Sequence, residues 1–129
     1  MRKQGLKLYF DGGCRPNPGE METAVVARGV TYHRSNLGHG TNNDAEWLAL
    51  IHALNVALSL GETELELIGD SALVVNQANG VWKCRSADLR THLTKFEILA
   101  THFSRIRIKH IGRSRNLAGI ALARQRIGL

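Results

Sequence analysis

Leu6-Lys7-Leu8-Tyr9-Phe10-Asp11-Gly12-Gly13 decides how the rest of this chain is read. An apolar run closes on a carboxylate and then on two glycines. The run predicts a strand over residues 5 to 11, followed by the loop Gly12-Gly13-Cys14-Arg15-Pro16-Asn17-Pro18-Gly19. Leu65-Glu66-Leu67-Ile68-Gly69-Asp70 has the same build and predicts a second such strand over 63 to 69. Between them, residues 21 to 28 and 30 to 37 read as strands turning at Arg28-Gly29, which makes the first three strands an antiparallel meander. Residues 43 to 60 form the clearest helix: Ala45, Leu48, Ala49, Ile51 and Val56 recur at helical spacing, and Gly61 ends the run. A strand entered from that helix can lie parallel beside the first one. A short helix over 71 to 78, a helix over 87 to 103, a strand over 105 to 109 and a closing helix over 114 to 127 complete the order. The expectation is an α/β fold with a mixed five-stranded sheet, antiparallel in its first three strands and parallel thereafter. Sites in such sheets lie beyond the carboxyl ends of the parallel strands, where Asp11 and Asp70 stand.

The 129 residues suit one domain, 1–129, able to bury its own core. Cys14 and Cys84 have no metal-ligand spacing, so free thiols in a reducing cytoplasm are the simplest expectation. The basic N-terminal stretch MRKQGLKLYF has too short an apolar run for a signal peptide, and no stretch is long enough to span a membrane. The net charge is +6, and after Glu97 the chain has no acidic residue but carries Arg105, Arg107, Lys109, Arg113, Arg115, Arg124 and Arg126. A basic end suits a polyanion such as nucleic acid, or serves only as a solvated face.

Three carboxylates stand out: Asp11, Asp70, and Glu46 in the first turns of the long helix. Each has an ordinary reading. Asp11-Gly12 is a hairpin signal, Asp70 could cap the helix that follows, and Glu46 follows Asn43 at the spacing of a capping box. The predicted topology instead lets all three converge. At roughly 5 Å and an effective dielectric near 20, two ionised carboxylates repel by about 3 kcal/mol. A cluster of this kind suits a divalent cation, and an all-oxygen donor set suits Mg²⁺.

On these residues the chain resembles type 1 ribonuclease H. The matching stretches are YFDGGCRPNPG (9–19), TNNDAEWLALIHAL (41–54), IGDS (68–71), NGVWK (79–83) and KHIGRSRN (109–116). The resemblance implies a ribonuclease H-like sheet with helices on both faces. It also implies a metal-dependent endonuclease that hydrolyses the RNA strand of RNA–DNA hybrids with two Mg²⁺ ions. By the same resemblance Asp11 would bridge the ions, and Glu46 and Asp70 would hold the one nearer the leaving group. Gly12, Gly13 and Cys14, with Asn17, Asn42 and Asn43, resemble the residues that read the hybrid's minor groove, and Thr41 resembles one that grips a DNA phosphate. Trp82 resembles the residue packed near the DNA strand, although a lone Trp is commonly a core residue. His110, six residues before Asn116, resembles a mobile-loop His that assists proton transfer.

The chain departs from the family in two ways. The basic handle that longer members insert after the Trp is missing, because Trp82-Lys83-Cys84-Arg85 leads almost directly into the next helix. The family's fourth carboxylate lies four residues after the loop Asn, and that position is Ile120. Isoleucine cannot bind a metal; with Leu117 and Ile127 it continues an apolar helix face, which predicts core packing. Two functions follow as expectations: a monomeric endonuclease weakened at its water-activating ion, for which Mn²⁺ could substitute, or a catalytically impaired hybrid-binding module.

Overall fold

A computed structural model describes residues 5–128; Met1–Gln4 of the basic N-terminal stretch lie outside the described residues. The elements run β1 (Leu6–Arg15), β2 (Gly19–Ala27), β3 (Val30–Arg34), β4 (His39–Gly40), α1 (Asn42–Ser59), β5 (Glu64–Gly69), α2 (Ala72–Ala78), α3 (Ala87–Ala100), β6 (Arg105–His110) and α4 (Leu117–Arg126). The principal strands lie in the order β3-β2-β1-β5-β6. β1 is antiparallel to β2 and parallel to β5, and β6 is parallel to β5. This is the expected mixed sheet with one correction: the two-residue β4 is a sixth strand, pairing with the start of β2 through Gly19↔Gly40 and Glu20↔His39.

Local chemistry accounts for the connections. Arg28 and Gly29 both have positive φ, 53° and 76°, as a tight hairpin between right-twisted strands requires. Gly61, at φ 70°, ends α1, and the N–H groups of Gly61 and Glu62 return to the carbonyls of Leu58 and Ala57.

Side chains alternate across the sheet and pack a core on each face, with a small third cluster of Cys14, Met21 and Ala45 at the start of α1. On one face Leu8, Phe10, Val25 and Leu67 pack under α1, whose Trp47, Leu50 and Leu54 are fully enclosed. The Trp47 ring meets Phe96 of α3 edge to face at 6.1 Å, and its Nε1–H donates to Gln77 Oε1 at 3.2 Å. On the other face α4 sets Ala118 and Leu122 against Ala24, Val26 and Tyr9. Helices therefore cover both faces. The predicted apolar stripe of α4 is not the buried one: Leu117, Ile120 and Ile127 are exposed, and small Ala118 lets the helix sit close to β2. No described helix is long and apolar enough to cross a membrane.

Candidate active site

Parallel pairing of β1 with β5 ends at Phe10↔Gly69, so Asp11 and Asp70 are the first residues past the last shared rung. β1 itself does not stop there. Gly12, Gly13, Cys14 and Arg15 stay in the strand, paired with Thr23, Glu22, Met21 and Glu20 of β2. The predicted loop is thus the outer half of a longer strand, with a turn only at Pro16–Pro18. Having lost β5 as a neighbour, the Gly12 N–H donates to Glu46 Oε1 at 2.8 Å. Glycine is required at this position: a Cβ on residue 12 would lie 2.1 Å from the Ala45 carbonyl oxygen. The bare strand lets the first turns of α1 rest on β1 and delivers Glu46 to Asp11. Glu46 does not form the capping box. That role belongs to Thr41 and Asp44, which exchange hydrogen bonds across the N-terminus of α1. Nor does Asp70 cap α2; the Ser71 hydroxyl accepts from Val74 N–H instead.

One carboxylate oxygen from each of Asp11, Glu46 and Asp70 lies within 4.8 Å of the other two. The third member is oriented by Asn116, which is fully buried at the N-cap of α4. Its Nδ2 donates to Asp70 Oδ2 at 2.9 Å and to the Phe10 carbonyl at 3.0 Å, while its Oδ1 accepts from Ala118 N–H at 3.1 Å. One amide thus ties both strand ends and α4 together. α4 comes so near that a methyl group on Gly119 would stand 3.4 Å from Asp11 Oδ2 and 3.6 Å from Asp70 Oδ2. Ile120 lines the same cleft.

The cluster resists carrying its full negative charge. Burial, and then the neighbouring Asp70 charge, raise the Asp11 carboxyl from 3.8 to about 6. Burial and the Asp11 charge raise Glu46 further, from 4.5 to about 9. Without a counter-charge the pair holds a proton at neutral pH. An all-oxygen, acidic, partly enclosed set of this kind fits a hard divalent cation, which would displace that proton.

The other predicted residues divide into two groups. Cys14, Asn17 and Asn42 form one connected patch beside the carboxylates. Asn42 Oδ1 accepts from Cys14 N–H at 3.2 Å and Sγ–H at 3.3 Å, and Asn17 Oδ1 accepts from Asn42 N–H at 3.1 Å. Gly13, Asn42 and Asn43 line the cleft, and Thr41 stands at the N-cap of α1 next to them. His110 and Trp82 line no part of this cleft. His110 is the last residue of β6, not part of a loop, and its Nε2 lies 3.2 Å from the Asp70 carbonyl oxygen. Trp82 is 47% exposed, on the connection after α2. The core tryptophan is Trp47. Cys14 and Cys84 are both free thiols.

A family model described as "Reverse transcriptase-like" matches residues 10–126. Ribonuclease HI of Halobacterium salinarum is 38% identical over 125 residues, covering 93% of this chain and 63% of that protein. The crystal structure of RNase H1 from the same archaeon superposes with a TM-score of 0.87 at 34% identity, over 96% of this chain and 98% of that one. The chain belongs to the type 1 ribonuclease H family. LC11-RNase H1, solved in complex with an RNA/DNA hybrid, superposes with a TM-score of 0.81 at 32% identity, over 91% of this chain and 92% of that one. The chain spans under two thirds of the length of its Halobacterium relative, 63%.

As a ribonuclease H-like chain it carries features that residue reading alone missed. Besides Asn116, two long-range polar clusters flank the cleft. His92 of α3 reaches Asp44 of α1, Nε2 to Oδ1 at 3.0 Å, and thereby steadies the Thr41 cap. On the other side Glu22 of β2 takes His33 Nε2 on one oxygen and Arg126 Nε on the other, each at 3.0 Å. The only local signal for Asn116 is an Asn ahead of an apolar helix, which is a common N-cap. Nothing local signals the pairs, whose partners are 48, 11 and 104 residues apart.

Proposed function

We propose that this chain is a metal-dependent endonuclease that hydrolyses the RNA strand of RNA–DNA hybrids. The approach of Asp11, Glu46 and Asp70 to within 4.8 Å carries the reading, and membership of the ribonuclease H family supports it. Asp11, Glu46 and Asp70 would hold the metal. Held by these three carboxylates, a divalent cation would supply neutralisation of phosphate charge and activation of water.

The chain's own groups do the rest. The Gly12 N–H keeps Glu46 turned toward Asp11, and Asn116 holds Asp70 against rotation. The Oδ1 atoms of Asn17 and Asn42 are engaged within the protein, so their Nδ2 groups are left to donate outward. Those donors, with Asn43 and the backbone of Gly12, Gly13 and Cys14, suit a 2′-hydroxyl, which both donates and accepts and separates RNA from DNA. Thr41, at the N-terminus of α1, suits a DNA phosphate. Trp82, exposed beside Lys83 and Arg85, suits the sugar face of the DNA strand. His110, anchored through the Asp70 carbonyl, suits proton transfer at the edge of the site.

Ile120 lines the cleft where family resemblance asks for a fourth carboxylate. We therefore propose weakened Mg²⁺ catalysis, with Mn²⁺ the better metal because it binds N/O sites more tightly. The same substitution favours a second reading, a hybrid-binding module with little turnover. We further propose that residues 1–129 form one ribonuclease H-like domain that acts as a monomer in the cytoplasm, where two free thiols stay reduced. End-labelled hybrid incubated with excess protein in Mg²⁺ or Mn²⁺ tests the function. Internal RNA cuts that Asp70→Asn abolishes support the nuclease; binding without cuts in either metal supports the module.

A further inference from the structure

We infer that Arg126 is a phosphate-gripping residue of this cleft, held in place by Glu22 and His33; the inference rests on the proposed hybrid specificity. Arg126 ends α4, and its guanidinium comes so close to β1 that a Cβ on Gly13 would stand 2.5 Å from Nη2. Glu22 is the Cα partner of Gly13 on β2 and accepts from Arg126 through Nε alone. Nη1 and Nη2 therefore have no hydrogen-bond partner among the described residues. A guanidinium clamped at Nε presents its two remaining amino groups as a fork, the geometry that takes two phosphate oxygens at once.

The clamp is itself braced. His33 occupies the second Glu22 oxygen, so the carboxylate cannot swing away from Arg126. Partial burial opposes ionisation of Glu22, but His33 and Arg126 outweigh it and keep the carboxyl below its usual value. Three arginines line the cleft, namely Arg15, Arg113 and Arg126. Arg15 and Arg113 are exposed, whereas Arg126 is fixed at two ends, by its helix and by Glu22. Its charge reaches the carboxylate cluster, where it favours ionised Asp11. A fixed cation beside the metal-binding acids, on the RNA-reading side of β1, suits the backbone of the strand being cut. It also supplies hybrid affinity in a chain that lacks the basic handle.

Hybrid binding by the full chain tests this, measured by fluorescence anisotropy in Ca²⁺ over a series of salt concentrations. Arg126→Met is expected to weaken binding about ten-fold, the loss of one charge-assisted contact. It should also reduce the slope of log K against log salt by about one phosphate. Arg126→Lys keeps the charge but not the fork and should fall between. Glu22→Gln gives the sharper result. It removes a negative charge near a polyanion, so bulk electrostatics predicts tighter binding; an unclamped Arg126 predicts weaker binding. Tighter or unchanged binding by Glu22→Gln, or an unchanged salt slope for Arg126→Met, overturns the inference while leaving the nuclease reading intact. A wild-type chain that does not bind hybrid overturns both.

Discussion

Asn116 Nδ2 donates to Asp70 Oδ2 at 2.9 Å from a side chain that is wholly buried. The same amide group reaches the Phe10 carbonyl, so a residue from the far end of the chain fixes the spacing between the two strands that carry Asp11 and Asp70. Removing it strands a buried carbonyl and frees a helix end. Asn116→Ala should lower stability by about 2–4 kcal/mol, read by urea denaturation. It should also cut hybrid cleavage at temperatures where the variant remains folded.

Titration of the acid cluster predicts how stability depends on pH. Burial and mutual repulsion raise Asp11 to about 6 and Glu46 to about 9, so the folded chain binds more protons than the unfolded chain between their ordinary values and these. Their contribution is complete below about pH 4 and is lost as pH rises through 6 and then 9. His52 acts in the opposite sense: burial beneath the sheet, then the charge of Arg34, lower it from 6.5 to about 4, so its term improves stability with rising pH over that window. Above pH 6.5 only the carboxyl term remains. Metal-free protein should then lose stability toward pH 9, by at most about 1.4 kcal/mol per pH unit. Glu46→Gln should flatten that slope in thermal melts, and so should saturating Mn²⁺.

Gly12 is the point where α1 touches β1. A Cβ there would overlap the Ala45 carbonyl oxygen at 2.1 Å, and the obstacle is backbone. Gly12→Ala should destabilise by about 3 kcal/mol or more and should abolish cleavage, because Glu46 moves with α1. A variant with native melting temperature and activity would disprove this packing.

Ile120 is 38% exposed on the wall of the cleft. Ile120→Asp therefore removes little core packing, and stability should change by under about 1 kcal/mol. A fourth carboxylate should raise Mg²⁺-dependent cleavage and narrow the advantage of Mn²⁺. Unchanged or lower activity in the folded variant refutes the role assigned to this position.

The fold was legible where the signal is local. Apolar runs ending on Asp11 and Asp70, the helical spacing through Ala45 and Val56, and the turn at Arg28-Gly29 all correspond to observed elements. The failures share a cause. Gly12 to Arg15 read as a loop because glycine and proline cluster there, yet β2 supplies partners from a non-local stretch. The ordinary alternative for Glu46, a capping box opened by Asn43, does not form, because the cap is Thr41 and Asp44 takes that role. In α4, apolar residues fall on more than one face, so periodicity chose Leu117, Ile120 and Ile127 while close packing chose Ala118 and Leu122. The Glu22–Arg126 and Asp44–His92 pairs depend on tertiary proximity, which spacing does not encode.

The central claim is that Asp11, Glu46 and Asp70 together hold a divalent cation against nucleic acid. A crystal of the chain with Mn²⁺ and a hybrid carrying a non-hydrolysable linkage measures this through the anomalous signal of the metal. The account predicts a peak about 2.2 Å from carboxylate oxygens of these residues, with a phosphate oxygen completing its coordination. Density for the hybrid with no metal at these three side chains, or with the metal held elsewhere, would contradict it.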